Sequence, residues 1–305
     1  MIKFSIIIPF KSMNDYLKKC IQELLKQSYK NFEIILLPDY DLKFKGVKVI
    51  PTGPVKPSLK RNIGAKKAKG EILAFIDDDA YPDYNWMKNV LKYFKEDVGA
   101  VGGPNLTPKE DNIWQKASGD VLSSPIGAGK FALRYVVRKG QAVKELPSCN
   151  LFVRKNLFKG FDTSLLTAED SKLCFSIRKM GKKVIYAPDV KVYHHRRELF
   201  RPHLKQVFIY GRDKAWLIKE DFSLDKLYYL APFVFVLGLF FGGIVSAFVL
   251  PIKYLYLAFL GIYLLISLFS SLTQNLERSF LIFPGIILTH IFYGLGSLYG
   301  LLKKK

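Results

Sequence analysis

The chain has 305 residues, 50% of them hydrophobic, and a formal net charge of +21 at pH 7. This length is sufficient for one sizeable domain with an appendage or for two domains. The positive charge suits an anionic partner, a class that includes nucleic acid, membrane headgroups and phosphate-rich substrates. The three cysteines form no CxxC pair and their number is odd, which argues against a disulfide framework; we expect reduced thiols.

Strands and helices alternate in the first part of the chain. The apolar patterns predict strands over residues 4–8, 32–37, 47–50 and 73–76, an amphipathic helix through Leu17, Ile21 and Leu24, and a second helix over 58–68. This order is typical of a mostly parallel sheet and predicts an α/β fold. Further along, strands are predicted over 98–101, 148–153, 184–186 and 190–193, and a helix over 171–180. Residues 105–145 mix Gly, Pro and short apolar runs without a pattern that assigns elements.

The last third of the chain changes character. Residues 199–226 combine apolar and aromatic side chains with many basic ones, which suits a helix at a bilayer surface or an ordinary packed helix. Residues 227–305 contain three apolar runs, at 227–250, 255–272 and 280–302. A membrane span needs about 20 apolar residues, so two or three segments of this tail are expected to span; a buried helical core is the other interpretation.

Three consecutive carboxylates, Asp77, Asp78 and Asp79, follow the apolar run 73–76. Clustered acids repel one another unless a cation lies between them, and carboxylate oxygens are natural ligands of Mg²⁺ and Mn²⁺. The carboxyl ends of strands in an α/β sheet are also where such folds bind ligands. The other interpretation of this triplet is a solvated acidic turn.

An ordered set of motifs resembles family 2 glycosyltransferases of GT-A fold. The motifs are Ser5-Ile6-Ile7-Ile8-Pro9, Arg61-Asn62-Ile63-Gly64, Phe75-Ile76-Asp77-Asp78-Asp79, Ala168-Glu169-Asp170 and the region of His194. Two tail segments, 206–212 and 290–296, resemble membrane-bound enzymes of the succinoglycan type, which extend polyprenyl-linked or exported polysaccharides. The resemblance implies a GT-A catalytic domain, which we place over 1–198. The composition predicts a basic amphipathic interfacial helix or linker over 199–226 and a transmembrane region over 227–305.

The resemblance also implies a sugar nucleotide donor, a divalent cation (Mn²⁺ or Mg²⁺) and inversion at the anomeric carbon. A cation held by carboxylates would neutralise the charge that grows on the diphosphate leaving group. By analogy with the family, Asp79 is a metal ligand and Asp77 faces the ribose or the metal. Asp78 belongs either to the nucleotide site or to solvent.

Three further residues are assigned to the nucleotide site by the resemblance: Pro9, Asp39 and Arg61. Many family members carry an Asp-Asp-Gly-Ser run after the second strand, whereas this chain has Leu37-Pro38-Asp39-Tyr40-Asp41. Asp39 is the candidate contact to the base, and this departure leaves the base preference open. For Arg61 the alternative is a surface charge on a helix.

The Ala168-Glu169-Asp170 motif bears on the acceptor. A hydroxyl acceptor needs a base to take its proton, whereas a phosphate acceptor is already ionised. Asp170 matches the family's catalytic base, and Glu169 would orient the base or the acceptor. Acids beside the first turn of a helix are also favoured for capping alone, and the two roles are compatible.

The histidines and the basic helix have less specific assignments. His194 follows a strand, as a metal-binding histidine does in a number of GT-A enzymes. Alternatively, His194 and His195 contact a headgroup or pyrophosphate, or belong to an ordinary surface. Arg212 and Trp216 are candidates for an acceptor channel.

Three functions fit these observations. The first is an inverting glycosyltransferase that acts on a hydroxyl of a lipid-linked or polysaccharide acceptor at the cytoplasmic face of the cell membrane. The second is a polyprenyl-phosphate glycosyltransferase. The third is a membrane-tethered binder of nucleotide or nucleic acid; the clustered acids would repel nucleic acid, so we expect none as a partner. Three spans would put Lys303-Lys304-Lys305 outside, against the positive-inside rule, whereas two spans and a surface-lying or re-entrant third segment would keep them inside.

Overall fold

The computed structural model describes residues 2–303, which form two compact units. The first unit comprises the chain up to Pro108 together with Leu133–His195. The second comprises Lys109–Ala132 together with the chain from Arg196 onward. The predicted boundaries at residues 198 and 226 remain predictions, and Lys304 and Lys305 lie outside the described residues.

The described residues contain strands and helices in the following order. The strands are β1 Phe4–Pro9, β2 Phe32–Leu37, β3 Lys48–Val49, β4 Ile72–Phe75, β5 Ala80–Pro82, β6 Val98–Gly102, β7 Asn105–Leu106, β8 Gln141–Ala142, β9 Leu151–Arg154, β10 Lys183–Tyr186 and β11 Val192–His194. The helices are α1 Asp15–Leu25, α2 Pro57–Lys67, α3 Trp86–Val90, α4 Ile113–Ser123, α5 Pro125–Ala128, α6 Glu169–Lys179, α7 Arg201–Glu220, α8 Ala231–Phe248, α9 Leu250–Gln274 and α10 Ser279–Leu302. Short 3₁₀ segments occur at Leu91–Tyr93, Gly129–Tyr135, Ser148–Asn150, Lys155–Leu157 and Leu224–Leu230.

The main sheet of the first unit is mixed and mostly parallel. Its strand order is β3-β2-β1-β4-β9-β6-β10-β8. Strands β1 to β4 are parallel to one another, β9 runs antiparallel to both β4 and β6, and β8 runs antiparallel to β10. The predicted α/β fold with a mostly parallel sheet is therefore confirmed. The predicted strand over 148–153 was wrong at its start, because Ser148–Asn150 forms a 3₁₀ turn and the ladder begins at Leu151.

The central strand β1 has no exposed face. Phe4, Ile6 and Ile8 point into one core with the apolar side of α1, and Ile7 points into the other core, which includes Leu173 of α6. Because side chains alternate across a strand, a strand covered on both faces is apolar at nearly every position. The exception in β1 is Ser5, which is buried and donates its hydroxyl hydrogen to Glu33 Oε1 at 2.6 Å. This requirement explains the apolar runs by which β1 and β4 are recognisable in the sequence.

A second, three-stranded sheet has the order β5-β11-β7. Strand β11 pairs antiparallel with β5, so that His194 lies opposite Ala80. Strand β5 follows directly after the acidic triplet. This pairing brings the end of β11 to the carboxyl end of β4.

The second unit is helical, and its centre is the packing of α7 along α10. The two helices run parallel. Near the start of α7, the imidazole Nε2 of His203 lies 2.8 Å from Thr289 Oγ1, and near its end Lys219 Nζ donates to the Leu301 carbonyl oxygen at 2.9 Å. Leu204 and Val207 of α7 are buried in the protein. The apolar residues of α7 that the sequence assigned to a bilayer surface are therefore partly covered by protein.

Helices α4 and α5 lie in the stretch that had no sequence assignment, and they pack in the second unit. The Ser124 and Ser270 hydroxyl oxygens are 2.8 Å apart, and Arg278 Nε donates to Asp120 Oδ2 at 2.7 Å. Three helical segments, Leu224–Phe248, Leu250–Gln274 and Ser279–Leu302, are long and apolar enough to cross a membrane. They coincide with the three apolar runs of the sequence to within a few residues, except that the second begins earlier.

Candidate active site

The charged residues of the first unit converge at the carboxyl ends of β1, β2 and β4. Asp77, Asp78 and Asp79 follow β4, and the β5–β11 pairing adds His194. The Asp79 carbonyl oxygen accepts a hydrogen bond from the His195 backbone N–H at 3.0 Å, which fixes β11 against the triplet. The site therefore draws on two separate sheets of the same unit.

Asp77, Asp79 and His194 form a possible metal site. Each residue offers one ligand atom, and these atoms all lie within 4.8 Å of one another. His194 Nε2 is 3.0 Å from Asp79 Oδ1. Two carboxylate oxygens and one imidazole nitrogen form a donor set that suits Mn²⁺ and is compatible with Mg²⁺. The residues present thus fit the divalent cation that the sequence implied.

The pKa of His194 reflects this environment. Burial lowers the pKa of the imidazole, but Asp79 and the Cys149 thiol together raise it by more than burial lowers it. The net pKa of His194 is therefore well above its usual range. An imidazole must lose its proton before it can bind a metal. Metal binding at this triad therefore competes with a proton held between His194 and Asp79.

Arg61 links the acidic triplet to the Glu169-Asp170 pair. Its Nη2 donates to Asp77 Oδ1 at 2.6 Å and its Nη1 donates to Glu169 Oε1 at 3.0 Å. The side chain is 5% exposed, so the alternative of a surface helix charge is wrong, because the guanidinium is buried between two carboxylates. Burial lowers the pKa of Arg61, while Asp77 and Glu169 raise it to a net value above the usual one.

Glu169 and Asp170 begin α6, whose N-cap residue is Ala168 with a φ of 65°. This left-handed conformation is costly for a residue with a Cβ, and such strain concentrates at functional sites. Burial, together with the charges of Asp170 and Asp77, raises the pKa of Glu169 against the opposing effect of Arg61. Asp170 Oδ1 accepts from the Ser171 N–H at 2.6 Å, and Oδ2 accepts from the Ser148 N–H at 3.2 Å.

The capping alternative for Asp170 is thus partly realised. Asp170 is the second residue of α6 rather than its N-cap, yet its carboxylate accepts a hydrogen bond from an N–H in the first turn. This bond fixes the orientation of the carboxylate at the start of the helix. The role of Asp170 as a base remains a prediction that this geometry accommodates.

Lys60 is a charged residue of the site that the sequence did not single out. Its side chain is 2% exposed, and its Nζ donates to the Phe10 carbonyl oxygen at 2.5 Å, to the Leu37 carbonyl oxygen at 3.1 Å and to the Asp39 carboxylate. The ammonium therefore ties the ends of β1 and β2 together and orients Asp39. The signal in the sequence is weak: a lysine beside Arg61 at the start of α2.

Pro9, which the resemblance assigned to the nucleotide site, is buried and is the last residue of β1, next to Phe10. Its contact with a nucleotide remains a prediction.

His195 lies among aromatic side chains. Its ring stacks on that of Tyr16 with 4.0 Å between the centroids, and Tyr81 lies 6.0 Å away. The side chain is buried, with 7% exposed. Contact with a pyrophosphate or headgroup remains a prediction for this residue.

Arg212 and Trp216 belong to the second unit. The Arg212 guanidinium lies 4.6 Å from the centre of the Trp216 ring, and its Nε donates to Asp213 Oδ1 at 2.8 Å. Trp216 Nε1 donates to the Lys303 carbonyl oxygen at 3.1 Å. Trp216 therefore contacts the end of α10, and the Arg212 side chain contacts neighbours on its own helix. The role of both residues at an acceptor remains a prediction.

Residues 5–161, more than half of the chain, match the family model described as glycosyl transferase family 2. A curated protein of Methanococcus voltae is 23% identical over 76% of this chain and 78% of its own length; it is a dolichyl N-acetyl-alpha-D-glucosaminyl phosphate 3-beta-D-2,3-diacetamido-2,3-dideoxy-beta-D-glucuronosyltransferase. A pre-mycofactocin glycosyltransferase of Mycobacterium tuberculosis is 25% identical over 52% of this chain, which spans only 34% of that relative's length.

Two solved structures share the fold. The mannosyltransferase PcManGT from Pyrobaculum calidifontis, in complex with GDP-Man and Mn²⁺, aligns with a TM-score of 0.64 and 15% identity over 100% of this chain and 88% of that chain. TarS of Staphylococcus aureus aligns with a TM-score of 0.50 and 16% identity over 75% of this chain and 41% of that chain. Together with the mixed sheet and the three apolar helices, this likeness confirms the predicted GT-A-like architecture.

Proposed function

This chain belongs to glycosyl transferase family 2, and we propose that it moves a sugar, with inversion, from a nucleotide-diphosphate sugar to a hydroxyl group of a lipid-linked or polysaccharide acceptor. A divalent cation, Mn²⁺ or Mg²⁺, would assist. The observation that carries the proposal is a continuous set of charges in one unit. It runs from His194 and Asp79 through Asp77 and Arg61 to Glu169, and Asp170 adjoins it.

The two ends of this charged set suit the two halves of the reaction. A cation bound by Asp77, Asp79 and His194 would neutralise the charge that develops on the diphosphate as the bond to the sugar breaks. Arg61 carries a permanent positive charge beside Asp77 and holds Asp77 by a 2.6 Å hydrogen bond. Lys60 holds Asp39 in the orientation from which it would contact the nucleotide base.

At the other end, Asp170 would act as the base. The acceptor oxygen attacks the anomeric carbon, the bond from that carbon to the diphosphate oxygen breaks, and the acceptor's proton passes to Asp170. The N–H groups of Ser148 and Ser171 donate to the carboxylate and hold it in position for the attack. Glu169, held by Arg61, orients the start of α6 on which Asp170 lies.

The alternative is a polyprenyl-phosphate glycosyltransferase, whose acceptor needs no base. The Glu169-Asp170 pair favours a hydroxyl acceptor, since a phosphate acceptor is already ionised and has no use for a base. The name of the Methanococcus relative describes transfer to a lipid-linked sugar phosphate, which supports a lipid-linked acceptor here.

We also propose that the protein acts at the cytoplasmic membrane face, anchored by the α8–α9 hairpin. Helix α7 follows α10 from Thr289 to Lys303 and carries many charged side chains: Arg201, Lys205, Arg212, Asp213, Lys214, Lys219 and Glu220. If α10 crossed the bilayer, α7 would have to follow it into the hydrocarbon, and charged residues there are costly. This packing supports two spans with α10 lying at the interface.

Purified full-length protein in detergent, screened against a panel of sugar nucleotides with Mn²⁺ or Mg²⁺, tests the proposed reaction. Asp79→Ala and Asp170→Asn are compared with the wild type, and Asp97→Asn, on an exposed aspartate paired with Lys183, is the matched control. We expect metal-dependent release of nucleoside diphosphate in the wild type and the control. Both site variants should lose at least about 100-fold of that activity.

Full activity of Asp170→Asn on polyprenyl phosphate would replace the proposed function with the alternative. If no donor turns over, calorimetry with nucleoside diphosphates and Mn²⁺ decides. The absence of metal-dependent nucleotide binding in the wild type would contradict the proposal altogether.

A further inference from the structure

A largely buried ion pair lies close to Asp170 and has no part in the proposed reaction. Arg134 Nη2 is 3.0 Å from Glu145 Oε2, and the two side chains are 16% and 5% exposed. Removing two charges from water is expensive, and replacing such a pair by apolar side chains is often neutral or stabilising. An ion pair of this kind beside a candidate catalytic residue therefore suggests a function other than stabilising the fold.

Ser171 connects this pair to Asp170. Its side chain is fully buried, and its hydroxyl contacts Glu145 Oε2 on one side. On the other side the same Oγ lies 3.2 Å from Asp170 Oδ1, which also accepts the Ser171 N–H at 2.6 Å. We call Arg134, Glu145, Ser171 and Asp170 the serine network.

A serine hydroxyl has a single hydrogen to donate. It therefore serves Glu145 or Asp170 at any moment, but not both. An ionised carboxylate is a much stronger acceptor than a neutral carboxylic acid. The preferred direction of the Ser171 hydroxyl hence depends on whether Asp170 carries a proton.

We propose that Ser171 is a positioning residue whose hydroxyl turns from Asp170 to Glu145 when Asp170 takes the acceptor's proton. This inference rests on the proposed role of Asp170 as the base. The acceptor O–H bond breaks and an O–H bond forms on Asp170, while Glu145 stays ionised and paired with Arg134. The Ser171 proton stays on its own oxygen and changes only its hydrogen-bond partner.

The other groups around Asp170 define what a variant can change. Asp170 faces the adjoining Glu169, the Arg61 guanidinium, the buried Cys174 thiol and the Ser148 N–H, as well as the serine network. Two substitutions act on the network with opposite electrostatic signs. Ser171→Ala removes a donor to the ionised Asp170, and Glu145→Gln removes a negative charge close to it.

The test is the pH profile of turnover with the donor that the wild type uses. In Ser171→Ala we expect the acidic limb of the pH profile, where turnover falls as the proposed base Asp170 becomes protonated, to move up by about one pH unit or more. The reason is that the variant loses a hydrogen bond to the ionised Asp170 carboxylate. In Glu145→Gln the limb should move down. The Michaelis constant for the donor and the Mn²⁺ requirement should stay at wild-type values in both variants.

Ser176→Ala is the matched control, because Ser176 lies on the same helix and its hydroxyl donates to the Leu173 carbonyl oxygen at 2.8 Å. Its profile should equal that of the wild type. A purely structural role for the network would lower turnover in both network variants and leave the acidic limb in place, and that result would overturn the inference. If Ser171→Ala fails to fold, the direction of the limb in Glu145→Gln decides.

Asp170→Asn is measured alongside. Wild-type activity in Asp170→Asn would remove the proposed base and with it the proposed function. Loss of activity in Asp170→Asn, with unmoved limbs in both network variants, would overturn only the role of Ser171.

Discussion

His194 Nε2 lies 3.0 Å from Asp79 Oδ1, although the two residues come from distant parts of the chain: Asp79 lies in the turn between β4 and β5, and His194 ends β11. The contact depends on the antiparallel register of β11 and β5, which sets His194 opposite Ala80. A histidine in this position adds a third ligand to the two aspartates, and two aspartates alone would bind a divalent cation more weakly. The metal affinity of the site should therefore depend on strand pairing as well as on the acidic triplet.

We expect His194→Ala to weaken Mn²⁺ binding by at least about 10-fold, because even the loss of an outer partner of a ligand costs about 10- to 100-fold. Isothermal titration calorimetry of Mn²⁺ into the purified protein measures the change. His195→Ala is the control for metal binding, since His195 stacks on Tyr16 and is absent from the triad. Equal Mn²⁺ affinity in His194→Ala and the wild type would remove His194 from the site.

Lys60→Met should destabilise the first unit. The Lys60 ammonium contacts two main-chain carbonyl oxygens and the Asp39 carboxylate. Its loss removes this donor from the Phe10 carbonyl oxygen and from Asp39, whereas the Leu37 carbonyl oxygen still accepts from the Phe10 N–H at 3.2 Å. Asp39 is partly exposed and can recover some hydration, so we expect a loss of about 1–3 kcal/mol in the free energy of unfolding. Thermal melting followed by tryptophan fluorescence reports it.

Lys66→Met, on the exposed side of the same helix, is the control for Lys60→Met. It should melt within a degree or two of the wild type. A Lys60→Met protein that melts with that control would show that the buried ammonium contributes no net stability.

Much of the first unit could be predicted from the sequence because its signals are local. A short run of mostly apolar residues marks a strand buried on both faces, as β1 and β4 are. The acidic triplet and the Glu169-Asp170 pair stand directly at element ends. The alternation of strands and helices then indicates a mostly parallel sheet.

The remainder depends on contacts between residues far apart in the chain. No local pattern joins Lys60 to Asp39, or Ser171 to Glu145, since each pair meets only after the sheet has formed. The segment containing α4 and α5 has no strong periodicity of its own. Its polar residues are explained by partners on α9 and at the start of α10, such as Ser270 and Arg278.

The raised pKa of Glu169 predicts a specific pH dependence of stability. Burial, then the Asp170 charge, raises this pKa to about 8 against the opposing effect of Arg61, whereas an unfolded glutamate has a pKa of about 4.3. Between these values the folded state holds a proton that the unfolded state has released. Stability contributed by Glu169 is therefore present below about pH 4.3 and is lost as the pH rises towards 8.

Glu169→Gln should remove this contribution, because the amide does not titrate and its oxygen can still accept from Arg61. The wild type should lose stability relative to the variant by at most about 1.4 kcal/mol per pH unit between pH 5 and 8. Melting temperatures measured across this range without added metal give the comparison. Glu96→Gln, on an exposed glutamate, should run parallel to the wild type; a parallel Glu169→Gln curve would contradict the assigned shift.

The proposed membrane arrangement predicts where reporters fused to the chain will be active. With two spans, a green fluorescent protein fused after the C-terminus should fluoresce, and alkaline phosphatase in its place should be inactive, because the C-terminus stays in the cytoplasm. Alkaline phosphatase inserted at Val249, between α8 and α9, should be active outside. An active alkaline phosphatase at the C-terminus would instead make α10 a third span.

Glycines at the contact of α7 with α10 should tolerate no side chain. A Cβ built on Gly296 would lie 2.0 Å from the Phe208 carbonyl oxygen, and one on Gly211 would lie 2.1 Å from the Tyr293 carbonyl oxygen. Neither obstacle is a flexible side chain, so each helix would have to move away from the other. We expect Gly296→Ala and Gly211→Ala each to cost about 1–3 kcal/mol through overpacking.

Gly261→Ala, in the middle of α9, separates this effect from the helix propensity that any Gly to Ala change brings. A Cβ there meets nothing within 4 Å, so the substitution should be neutral or stabilising by up to about 1 kcal/mol. Melting temperatures of the three variants in the same detergent give the answer. If Gly296→Ala melted with Gly261→Ala, then α7 and α10 would not be packed at this distance, and the main reason for placing α10 at the membrane interface would be lost.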